Sequence, residues 1–74
     1  MTFETLAYIH RLLVAEELRT EEAYKKARDY VEELKETRVN KAILKDAEET
    51  MDNFDRIHMK AYRALNEFEE HEWR

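Results

Sequence analysis

From residue 44 onward, apolar side chains return at alternating intervals of three and four: Leu44, Ala47, Met51, Phe54, Ala61, Leu65 and Phe68, with His58 as the polar member of the series. Such alternation keeps one stripe on one side of an α-helix, as in a heptad seam. The first half carries the same spacing through Leu6, Ile9, Leu13, Glu16, Thr20, Ala23, Ala27, Tyr30 and Leu34, with polar residues in its middle. Between the halves, helix-poor residues cluster at Thr37-Arg38-Val39-Asn40, where Asn40 suits an N-cap and Lys35 and Arg38 suit the negative end of the preceding helix.

The pattern predicts an all-α fold: a single helical domain over residues 1–74, built as an antiparallel helical hairpin of two long helices, about 3–37 and 41–72. Each helix would run roughly 50 Å at 1.5 Å per residue. The alternative is three helices with a break near Thr20, since Thr20-Glu21-Glu22-Ala23 reads as an N-cap followed by acids in a first turn. Within one continuous helix the same stretch supplies Glu21–Lys25 and Glu22–Lys26 pairs at i,i+4.

Composition narrows this further. The 74 residues contain no glycine and no proline, so neither of the usual helix-ending residues is present, and 42 % of the chain is charged. A domain of this size buries only about 60 % of the surface that its unfolded chain exposes. Small scaffolds add disulfides, a metal or a partner; with no cysteine in the chain, self-association is the expected supplement.

Folding the chain about residues 38 and 39 sets Ala27 near Met51, Ala23 near Phe54, Leu13 near Leu65 and Ile9 near Phe68. The same register brings Glu16 and Thr20 towards His58. A polar layer in an apolar seam fixes register and partner choice in coiled coils, and that is the expected role here.

More apolar residues remain than one seam covers. Leu12, Tyr24 and Val31 flank the first stripe and Ile43, Ile57 and Tyr62 the second, while Met1 to Leu18 is apolar on nearly all sides. We expect a homodimer in which two hairpins form a four-helix bundle, with Phe3, Leu6, Ile9, Leu12, Leu13, Val14 and Leu18 as interface. A face for a different, unidentified protein partner is the other reading.

Net charge is −5, and residues 46–55 hold five acids (Asp46, Glu48, Glu49, Asp52 and Asp55) and no base. No broad basic face is formed, so nucleic-acid binding is not expected. Charged residues interrupt every apolar stretch, and Glu4, Glu16 and Glu17 stand where a membrane-surface helix would favour Lys or Arg, so no membrane association is expected either. With no basic segment preceding an apolar one at the amino end, a cytoplasmic location is expected.

Candidate chemistry is sparse. Asp55 and His58 are spaced i,i+3, and with Glu16 opposite them they form the one constellation resembling a carboxylate–histidine metal site of bundle proteins. The competing reading is a solvated Asp55 beside a hydrogen-bonded His58, and no metal or other cofactor is expected. His10 reads as a boundary residue and His71 as part of a solvated acidic helix end. Trp73 is expected to dock on Phe3 or Leu6, or else to anchor a partner. The chain has no Cys, Ser or Gly, so it offers no thiol or serine nucleophile, no oxyanion turn and no phosphate loop. No catalytic residue is assigned and no enzymatic activity is expected.

The segments Leu6-Ala7-Tyr8-Ile9-His10-Arg11-Leu12-Leu13, Asp55-Arg56-Ile57-His58-Met59 and Glu67-Phe68-Glu69-Glu70-His71-Glu72-Trp73 resemble a set of short uncharacterised helical proteins of phages and prophages of Gram-positive bacteria. The resemblance implies a phage-derived origin, a cytoplasmic setting and a helical fold, and carries no activity with it. The expected function is that of a small non-enzymatic scaffold or adaptor acting through protein–protein interaction. An acidic inhibitor or nucleic-acid mimic, presenting residues 46–55 to a basic protein, is the alternative, and a metal-binding bundle the third reading.

Overall fold

The computed structural model describes residues 2–73 and contains two antiparallel helices, α1 (Phe3–Glu36) and α2 (Lys41–His71). The all-α hairpin is therefore as the sequence predicts, with boundaries within one residue. Met1, named above as part of the apolar amino end, lies outside the described residues. The hairpin measures 54 × 13 × 13 Å.

Capping chemistry explains where each helix begins. The Thr2 hydroxyl accepts from the Thr5 N–H at 3.2 Å, and the Asn40 side-chain oxygen accepts from the Ala42 N–H at 2.8 Å. Each satisfies one of the amide donors that a helix start leaves without an intrahelical partner. α1 stops at Thr37, whose N–H still reaches the Glu33 carbonyl, and Arg38 then turns the chain with φ 53°. A left-handed residue here is the usual way to leave a helix, normally filled by glycine.

No break occurs at Thr20, so the three-helix alternative is excluded. Its hydroxyl does not cap a new helix; it donates back to the carbonyls of Glu16 (2.9 Å) and Glu17 (3.0 Å), one turn earlier in α1. That bond satisfies the hydroxyl internally and lets Thr20 sit in the seam at 2 % exposure.

The seam of α1 is rotated from the expected one. Val31 is 2 % exposed and Tyr30 52 %; Glu17 is half-buried and Glu16 exposed. With the His10–Glu69 and Glu17–His58 contacts, this burial makes the inward series Leu6, His10, Leu13, Glu17, Thr20, Tyr24, Ala27, Val31 and Leu34, with Ile9 and Ala23 half-buried beside it. It shares every seventh residue with the expected series and takes the intervening position one residue later. Hydrophobicity alone favours Ile9 over His10, whereas the structure gives His10 and Glu17 polar partners on α2. On α2 the expected seam holds: Ala47 and Phe68 are buried and Leu44, Met51, Phe54, His58, Ala61 and Leu65 are half-buried.

Packing is densest near the turn, where Val31, Leu34 and Ala47 form a buried cluster against Val39, Leu44 and Met51. The open end is closed by aromatic rings. The Phe68 carbonyl accepts from the N–H groups of both Glu72 (2.8 Å) and Trp73 (3.0 Å), which winds the chain back. Trp73 then stacks on His10 (centroids 4.4 Å apart) and Phe3 (5.8 Å), so it docks on Phe3 as expected.

Candidate functional site

Residues seven apart share one flank of a seam, and two such sets coincide on the same side of the hairpin. α1 places Ile9, Glu16, Ala23 and Tyr30 there, and α2 places Ile43, Thr50 and Ile57. Between them opens a groove of about 560 Å³, floored by Ala23, Ala27 and Ala47, walled by Tyr30, Ile43 and Phe54, and edged by Lys26, Asp46 and Thr50. Small residues on the floor allow close approach, and the walls are the larger apolar groups. Tyr30, Ile43 and Ile57 are 52 %, 49 % and 46 % exposed.

Of the interface residues expected from sequence, Leu6, Ile9, Leu13 and Val14 are half-buried within the hairpin, while Phe3, Leu12 and Leu18 are exposed. Leu12 lies next to the flank that carries Ile9; Leu18 lies on the opposite side, near Val14. The outward apolar surface therefore extends beyond the amino-terminal segment into the groove. Ile43 and Ile57 are flanking residues as their spacing predicts, whereas Tyr30, expected in the seam, stands on the flank with them.

The opposite flank is polar. His58 Nε2 lies 3.0 Å from Glu17 Oε1 across the seam, with both side chains less than one-fifth exposed. Glu21, one turn after Glu17, adds a second carboxylate: one donor atom from each of Glu17, Glu21 and His58 falls within 4.8 Å of the others. Glu21 also pairs with Lys25 at 3.1 Å. Further along, His10 Nε2 meets Glu69 Oε2 at 3.3 Å.

The expected polar constellation of Glu16, Asp55 and His58 is corrected by this geometry. Glu16 turns away and is held by Arg19, whose Nη2 donates at 2.6 Å and Nε at 3.1 Å. Those hydrogen bonds, with the guanidinium charge, keep the Glu16 carboxyl below its ordinary value and the Arg19 guanidinium above its own. Asp55 is exposed and is not among the three clustered donors. For Glu16 the cause is the one-residue rotation of α1, which puts Glu17 in its place opposite His58. No family model, curated protein or solved structure matches the chain.

The remaining features carry less. Asp46, Glu49, Asp52 and Asp55 are exposed along α2 and Glu48 is half-buried. Among the described residues, no helix is long and apolar enough to cross a membrane.

Proposed function

We propose that this chain is a non-enzymatic helical interaction module that works as a homodimer, with two hairpins packed groove to groove into a four-helix bundle. The observation that carries the reading is an area. A folded monomer of 9.1 kDa is expected to expose about 4,900 Å², whereas this hairpin exposes 6045 Å². The surplus of roughly 1,100 Å² per chain exceeds the 800 Å² or so that each partner contributes to a standard interface. It is also chemically suited to burial, because Tyr30, Ile43 and Ile57 stand on the flank that the alanine-floored groove occupies.

A second copy fits this face by symmetry. In a two-fold dimer the same patch meets itself, so the bulky walls of one groove lie over the small floor of the other. A phage or prophage origin and a cytoplasmic setting belong to the same proposal. The test is sedimentation equilibrium across the micromolar range on the parent and on Ile57→Glu. We expect a parent mass twice 9.1 kDa and a variant at the single-chain mass, with weakened helical circular dichroism because the hairpin has lost its partner. A parent that remains monomeric throughout that range would end the proposal.

A further inference from the structure

We propose that Glu17, Glu21 and His58 form a site for a divalent first-row transition-metal ion, taken in the test as Zn²⁺, on the flank of the hairpin opposite the groove. Three donors from two helices converge there: two carboxylates one helical turn apart on α1 and an imidazole nitrogen from α2. Their ligating atoms lie within 4.8 Å of one another, and His58 Nε2 stands 3.0 Å from Glu17 Oε1. Two donors bound at 2.0–2.1 Å to a tetrahedral ion stand about 3.3 Å apart, close to the 3.0 Å between His58 Nε2 and Glu17 Oε1, and the Glu21 donor lies within 4.8 Å of both.

The donor set selects the class of ion. Imidazole with carboxylate oxygens suits zinc, iron, manganese or nickel, whereas calcium and magnesium prefer all-oxygen cages. Three protein ligands leave at least one position for water or for a ligand from another molecule.

Charge accounting points the same way. Glu17 and Glu21 repel each other at i,i+4. His58 Nε2 faces Glu17, while Glu21 leans on a lysine, Lys25, that is 55 % exposed. An ion bound to all three donors would neutralise both carboxylates at once and bridge α1 to α2. Glu21 and Ala23 lie about 200° apart around α1 at 100° per residue, so the site is open whether or not the groove is covered by a second copy.

The test is Zn²⁺ titration by calorimetry on the full chain, with parallel observation of the His58 ring nitrogens by ¹⁵N NMR. The parent is expected to bind one Zn²⁺ per chain, with the His58 Nε2 resonance shifting on binding. Affinity should fall at least about tenfold in His58→Gln and in Glu21→Gln. Glu21 is partly exposed and outside the seam, so the second variant keeps the hairpin and isolates ligation from folding. Absence of saturable binding, or equal binding by the parent and Glu21→Gln, as an ion held by His71 among the carboxyl-terminal acids would give, overturns the proposal.

Discussion

Trp73 shows how much a single side chain can hold at the open end of a hairpin. Its indole stacks on His10 and Phe3 and lies 6.2 Å from the Phe68 ring, and the Trp73 backbone N–H donates to the Phe68 carbonyl. Aromatic pairs contribute about 0.5–1.5 kcal/mol each beyond the area they bury. Trp73→Ala should therefore destabilise the hairpin by about 2 kcal/mol, read as a lower urea midpoint at fixed protein concentration. Trp73→Phe should recover about half of that loss, because it keeps stacking but covers less area. A Trp73→Ala midpoint indistinguishable from the parent would mean that the aromatic end contributes nothing to stability.

At the scale of the helices, the turn is the feature most exposed to improvement. Arg38 adopts φ 53°, a left-handed conformation that costs an ordinary residue on the order of 1 kcal/mol and glycine almost nothing. Glycine also loses more freedom on folding, so Arg38→Gly is expected to gain somewhat less than about 1 kcal/mol, while Arg38→Ala, still bearing a Cβ, gains none. Thermal melting of the three proteins side by side checks the ordering. This turn was legible from residues 37–40 because no glycine or proline competes for it elsewhere. The phase of α1 was not legible, and the reason is local. Two series, through Ile9, Glu16, Ala23 and Tyr30 or through His10, Glu17, Tyr24 and Val31, obey the same spacing, and hydrophobicity favours the first. What decides for the second includes His10 meeting Glu69 and Glu17 meeting His58, partners that belong to the other helix. The polar site was therefore misplaced on both carboxylates, with Glu17 standing where Glu16 was expected and Glu21 joining it while Asp55 stays exposed, whereas His58 itself was visible as the interruption in a strong α2 seam. At Thr20 two readings stood open for a related reason: a threonine can cap a helix or bond back inside one, and the continuous helix expected first is the one observed.

For the molecule as a whole, the issue is whether the hairpin is a complete folding unit. Among the described residues the buried apolar side chains are Val31, Leu34, Ala47 and Phe68, whereas nine large hydrophobic side chains are at least 40 % exposed. A core that small leaves little to set against the conformational entropy of the chain, which for a domain this size is of the same order as everything burial supplies. If folding and dimerisation are one step, stability has to depend on protein concentration, because two unfolded chains yield one folded species. Each tenfold increase in concentration then adds about 1.4 kcal/mol per dimer. With an unfolding entropy of about 2.1 cal/mol/K per residue, that corresponds to a rise in melting temperature of roughly 4 °C for two chains of this length. The slope also distinguishes the two functional flanks. Ile57→Glu should flatten the concentration dependence towards zero, since it charges the groove side. Glu21→Gln, on the opposite flank, should leave the slope intact. A parent whose melting temperature does not move with concentration would show the hairpin to be self-sufficient, and its exposed apolar flank would then have to be explained by a partner of different sequence.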